Sequence, residues 1–280
     1  MSDGRAFLDP KKFDLSRCSS AYVDFGLNRG VMFAMLHHTK RHSQFDALFH
    51  PNLRKTTCAI GAEPNPAHAS SLTQLAQNLS KDGRSTHFLP VAISDRTASA
   101  TFFSDQDVDN GEWGSSLLKW QREMMDPQAP SYTVATIALK DFLTYLLAPA
   151  AVPRVVMKID IEGAEFDAVP PAISGLCKWV DVLLLERHDR FYKESWRGHR
   201  PGFSTDREGK VRPLEWALAN MSAWRERGDC RTRVRRMTSG EGDSYANWRD
   251  YFAGKKEDRD ELSQRGHRAR LLRRPQKVLN

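Results

Sequence analysis

Lys158-Ile159-Asp160-Ile161-Glu162-Gly163-Ala164-Glu165 closes an apolar run that begins at Val155, and acid and glycine replace it abruptly from Asp160 onward. A strand buried on both faces of an α/β sheet needs a continuous apolar run, and charge is tolerated only where the strand leaves the sheet at its carboxyl edge. Ligands bind at that edge, so Asp160 is a candidate site residue. Glu162 and Glu165 also suit a solvated helix start, where acid complements the helix dipole.

A second strand end lies upstream in Ala21-Tyr22-Val23-Asp24-Phe25-Gly26-Leu27-Asn28-Arg29-Gly30, followed by apolar Val31 to Leu36. It reads as strand, glycine turn and helix. Gly26 and Gly30 permit a tight turn and close approach of a ligand to the backbone. The last two glycines of a dinucleotide fingerprint are three apart and its first position is also glycine; here Asp24 holds that position and the glycines are wider spaced. Pyrophosphate fits poorly, whereas an aspartate suits a cationic ligand such as the amino group of an amino-acid-like cofactor.

The third strand end is Thr57-Cys58-Ala59-Ile60-Gly61-Ala62-Glu63-Pro64-Asn65-Pro66. An acid after the second strand of a doubly wound half is the usual ribose reader, and it normally follows the glycines by about 20 residues. Glu63 comes later, so the crossover carries an insertion, His37 to Lys55. Pro66 suits the first turn of a helix whose Ala69, Leu72, Leu75, Ala76 and Leu79 recur at helical spacing.

DFGLNRG, GAEPNP, PVAISD, the SSL of Ser115 to Leu117, MKIDIEGAE and LLLERH stand here in the order found in FkbM-type methyltransferases, which the chain resembles over roughly residues 20 to 190, with a weaker echo at Gly242 to Tyr245. The resemblance implies a class I methyltransferase, Rossmann-like α/β fold: a doubly wound, mostly parallel seven-stranded sheet flanked by helices. It implies S-adenosyl-L-methionine as cofactor and methyl transfer to oxygen. By position, Asp24, Gly26, Asn28 and Gly30 resemble the loop around the methionine part of that cofactor, Glu63 with the adjoining Asn65 the ribose site, and Val91, Ala92 and Ile93 the adenine edge. Asp160 would lie beside the transfer centre, with Glu162 just beyond. Leu27 and Arg29 depart from the family, a bulky side chain and a cation standing in a turn expected to approach the ligand.

His188 follows Leu183-Leu184-Leu185-Glu186-Arg187 at another strand end and is expected at the same cleft as Asp160, with an unperturbed pKa suited to proton removal near neutral pH. Asp160 would orient acceptor and donor, while His188, or Glu162 if His188 faces away, takes the proton. His38 and His42 would face one way on a helix, near His37 and His50. No third ligand at fixed spacing accompanies them, so no metal site is expected.

With 280 residues and 40% hydrophobic content, the chain reads as one methyltransferase-like domain over 1–260 and a basic, disordered tail over 261–280. Strand and helix alternate from Thr57 to Leu185, which argues a parallel sheet, with strands at Thr86 to Val91 and Val180 to Leu185 and a helix at Glu165 to Ile173. No bilayer-length apolar stretch or secretory h-region is visible, so a soluble, cytoplasmic protein is expected. Cys18, Cys58, Cys177 and Cys230 form no C-x-x-C pair and are expected as reduced thiols.

The net charge of +7 is concentrated in a tail that includes Arg265, Arg268, Arg270, Arg273, Arg274 and Lys277. Two functions therefore stand. The first is O-methylation of a hydroxyl on a small molecule or glycan. The alternative is an RNA-binding protein or RNA ribose methyltransferase that uses the tail, with a degenerate cofactor site. The Asn/Asp-Pro-Pro-aromatic signature of base-amine methylation is missing after Ile159, where Asp160-Ile161-Glu162 stands instead.

Overall fold

A computed structural model describes residues 4–13, 15, 17–37, 45, 48–49, 51–104, 115–118, 130–188, 213–237 and 249. The strands are β1 Ser20–Phe25, β2 Thr57–Ala62, β3 Thr86–Leu89, β4 Ala92–Ser94, β5 Ala98–Phe103, β6 Ser131–Ala138, β7 Val155–Ile159, β8 Val182–Leu185 and β9 Arg233–Arg236. The main sheet has six strands in the order β3-β2-β1-β7-β8-β9, and every neighbouring pair is parallel. The chain therefore winds outward in one direction through β1 to β3 and in the other through β7 to β9. Such a reversal opens a crevice at the carboxyl ends of β1 and β7.

The expected seventh strand is absent from this sheet among the described residues, and a three-stranded sheet, β4-β6-β5, stands beside it. Pro90 is the physical reason that the strand expected over Thr86 to Val91 divides. Proline cannot donate to a ladder. β3 stops at Leu89, the Val91 N–H turns back to the Leu89 carbonyl, and β4 pairs with β6 instead.

Alternation along the central strands sends side chains to two cores. Ala21, Val23, Phe25, Cys58, Ile60, Val155, Met157, Ile159, Leu183 and Leu185 enter one, and Tyr22, Ala59, Val156, Val182 and Leu184 enter the other. The second core is closed by α1, Val31–His37, and by Leu72, Leu75 and Leu79 of α2, Pro66–Lys81. Asp24 and Lys158 share the strand parity of Tyr22 and Val156, so both point to this second face.

The helix expected over Glu165 to Ile173 is broken by its two prolines. It becomes α3, Glu165–Ala168, a 3-10 turn Pro170–Ala172, and α4, Ile173–Trp179. On α5, Pro213–Glu226, Leu214, Ala217 and Met221 are buried while Trp216 is exposed. No described helix is long and apolar enough to cross a membrane.

The expectation of reduced thiols is corrected. Two disulfides join Cys18 to Cys58 and Cys177 to Cys230, with Cα atoms 5.6 and 4.4 Å apart. Parallel pairing of β1 and β2 sets Ala21 opposite Cys58 and carries Cys18 alongside, a long-range contact that no local spacing encodes. Such bonds persist in oxidising compartments and are rare in the cytosol. The tail over 261–280 and the Gly242 to Tyr245 segment lie outside the described residues, as do His38, His42 and His50.

Candidate active site

The turn after β1 is built from unusual backbone. Gly26 and Gly30 have φ of 80° and 77°, and Asn28 between them has φ of 47°. Glycine is needed at Gly26 on two counts, since a Cβ there would also overlap the Asp160 carbonyl. Leu27 turns its bulk into the protein. It is buried in the second core beside Phe33, where Gly61 leaves room: a Cβ on Gly61 would lie 2.6 Å from Phe33 Cζ and 2.7 Å from Leu27 Cδ2.

Glu63 follows β2 and is only 7% exposed. Its Oε2 accepts the Asn28 N–H at 2.9 Å and its Oε1 accepts the Asn65 N–H at 2.8 Å. One carboxylate thus ties together the turns of two adjacent strands. Burial raises its pKa to about 7 against these bonds. The Asn65 side chain caps α2 by accepting the Ala67 N–H at 3.0 Å.

Asp24 is wholly buried. Its carboxylate pairs with Lys158 Nζ at 3.2 Å and accepts the Tyr22 hydroxyl at 3.3 Å. Lys158 also pairs with Asp160 Oδ2 at 3.1 Å and donates to the Gly26 carbonyl at 3.1 Å. Asp24 therefore reaches the turn through Lys158 rather than directly. Burial raises the Asp24 pKa, with Lys158 opposing; in Lys158 the burial effect is outweighed by Asp160 and Asp24, so its pKa rises and it stays charged. Sequence reasoning missed Lys158 because it counted Val155 to Ile159 as uniformly apolar.

Beyond Asp160 the backbone bends sharply, with φ of 52° at Glu162 and 96° at Gly163. Ser116, from the SSL segment, donates its hydroxyl to the Glu162 carbonyl at 2.7 Å and accepts the Leu118 N–H. Glu165 is not a solvated helix start: it is fully buried and accepts from Gly163 N–H at 2.8 Å, His188 N–H at 2.9 Å and His188 Nδ1 at 3.0 Å.

His188 Nε2 faces Glu162 Oε1 at 3.4 Å, Asp160 Oδ1 at 3.7 Å and Glu186 Oε1 at 4.0 Å. Burial would lower its pKa, but hydrogen bonds and charge from Glu162 and Glu165 prevail and raise it to about 11. The carboxylates around Nε2 favour positive charge at that atom, whether a proton or another cation. Burial and the nearby Asp160 push Glu186 up to about 7. Glu186 lies in the LLLERH segment, and its place in the site is set by Asp160 and His188, which local sequence does not bring together with it.

Val91 and Ile93 are buried in the first core and Ala92 in a small third one. They stand where β3 gives way to β4, at the same sheet end as Glu63, whose N–H donates to the Leu89 carbonyl. His37 is buried and bonded to Thr86, held neutral by burial and by Arg84, with its pKa lowered to about 3.

Four strand ends thus converge on one crevice: the Gly26–Gly30 turn after β1, Glu63 after β2, the Asp160 to Glu165 segment after β7, and His188 after β8. A family model described as the methyltransferase FkbM domain matches residues 24–255. The chain belongs to the FkbM methyltransferase family. This matches the family whose motifs the sequence resembles, and it makes the crevice the candidate centre of a methyltransferase. A comparison with curated proteins finds no match.

Proposed function

We propose that the chain is an S-adenosylmethionine-dependent methyltransferase acting on a hydroxyl of a small molecule or glycan. The observation that carries this reading is Glu63, a buried acid at the end of β2 whose two oxygens each receive one backbone N–H and keep lone pairs for a ribose diol. The donor set fits the cofactor. Glu63 and the Gly26–Gly30 turn would hold its ribose and methionine parts, with Asn65 bracing the turn and Val91, Ala92 and Ile93 forming the apolar side. Asp24 and Lys158 fix the position of that turn and of Asp160.

When bound, S-adenosylmethionine would supply a methyl on a cationic sulfur for transfer to the acceptor oxygen, the C–S electron pair staying with sulfur. Such a displacement is favoured mainly by positioning, with a base for the hydroxyl proton. Asp160 orients the acceptor. Glu162 takes the proton, because Nδ1 of His188 is engaged by Glu165 and its Nε2 is turned toward carboxylates. Ser116 and the left-handed backbone hold Glu162 in place.

An RNA reading rests on the tail, which lies outside the described residues. Mass spectrometry of the purified protein tests the cofactor. S-adenosylmethionine or S-adenosylhomocysteine is expected to co-purify or bind on addition, and binding of a nicotinamide dinucleotide instead would overturn the reading.

A further inference from the structure

Asp160 follows β7, and Glu186 and His188 follow β8, its parallel neighbour. The register fixes the spacing, with the Asp160 N–H bonded to the Phe25 carbonyl and the Glu186 N–H to the Ile159 carbonyl. One oxygen from each carboxylate and one nitrogen of His188 all lie within 4.8 Å of one another. A divalent cation with bonds of about 2.1 Å places neighbouring ligands roughly 3 Å apart and opposed ones slightly over 4 Å apart. The distances from Nε2, 3.7 Å to Asp160 and 4.0 Å to Glu186, fall in that span.

Acids at a strand end are common, and the histidine sets this group apart. Its Nδ1 is held by Glu165, which is itself fully buried and fixed by two backbone N–H groups. That carboxylate–histidine arrangement directs Nε2 outward and orients metal-ligating imidazoles. Asp160 is similarly divided. Its Oδ2 pairs with Lys158 while Oδ1 faces Nε2. Asp160 and Glu186 are only partly buried, so the group opens to the crevice.

We infer that Asp160, Glu186 and His188 form a binding site for one divalent cation of the Mn2+ or Mg2+ type. Two carboxylates to one imidazole, with a third carboxylate, Glu162, 3.4 Å from Nε2, make an oxygen-rich set that suits Mn2+ or Mg2+ better than a thiolate-seeking ion. His188 would ligate as the neutral imidazole, its Nε2 proton released to solvent as the cation takes the lone pair, and three protein ligands leave coordination positions for an acceptor hydroxyl. A cation there would favour the oxygen as its proton passes to Glu162. This role rests on the methyl-transfer reading; the binding itself does not.

The test titrates the full chain, dialysed against chelator, with MnCl2 while free Mn2+ is followed by electron paramagnetic resonance, with neither methyl donor nor acceptor present. One saturable site is expected, weakened at least tenfold in Glu186→Gln and in His188→Ala. Circular dichroism of each variant without metal confirms folding, and Mn2+ should raise the melting temperature of the parent more than that of either variant. Absence of saturable binding, or equal binding in the folded variants, overturns the site. Calorimetry with S-adenosylhomocysteine on the same samples separates the readings: S-adenosylhomocysteine binding without Mn2+ binding removes the cation and leaves the methyl-transfer reading, and Mn2+ binding alone does the reverse.

Discussion

Gly26 and Asp160 touch backbone to backbone at the point where the sheet reverses direction, and a Cβ on Gly26 would overlap the Asp160 carbonyl oxygen. The turn after β1 and the acidic segment after β7 are therefore one structure. Gly26→Ala is predicted to cost several kcal/mol, from both the overlap and the φ of 80°. Thermal melts check this, and a variant that melts with the parent would mean that the two segments are not in contact.

Leu27→Ala is predicted to behave as a core truncation. The side chain lies beside Phe33 above Gly61, and such losses cost about 2–5 kcal/mol, or several degrees of melting temperature in a chain of this size. An unchanged melting temperature with tighter cofactor binding would instead place Leu27 against the ligand.

Glu63 gives a pH dependence of stability. Burial raises its pKa from the ordinary 4.5 to about 7, so the protonated form favours the folded state. That contribution is fully present below pH 4.5 and is lost as pH rises through 7, on the order of 3 kcal/mol in the ligand-free protein. Denaturant unfolding across this range should show the decline, and Glu63→Gln should flatten it. Identical slopes in parent and variant would mean that burial does not perturb the group.

The strand ends were legible because apolar runs, glycines and acids fall in a fixed local order at Asp24 to Gly30, at Gly61 to Glu63 and at Asp160 to Gly163. What escaped depends on neighbours in space. Lys158 is hidden within β7 and is explained by Asp24, opposite it on β1, together with Asp160 two residues on. Glu165 looks like a helix-start acid until His188 arrives from the next strand. β9, Arg233–Arg236, is too charged to announce itself, and such charge is tolerated on an edge strand. The direction of Leu27 was likewise decided by space left at Gly61.

The disulfides escaped for the same reason, and they carry their own prediction. Protein folded under oxidising conditions should show no alkylation of its four cysteines without reductant. Reduction should lower the melting temperature, since closing loops of sequence separation 40 and 53 stabilises by roughly 2–4 kcal/mol each. Full alkylation of the unreduced, denatured protein would contradict both bonds.

Calorimetry with S-adenosylhomocysteine on the parent and on Glu63→Ala tests whether Glu63 and the turn after β1 hold S-adenosylmethionine. Saturable binding by the parent is expected, weakened by on the order of 1.5–3 kcal/mol, or roughly 10- to 100-fold, in the folded variant through loss of charge-assisted bonds to the ribose. No binding by the parent, or equal affinity in the two proteins, would contradict it.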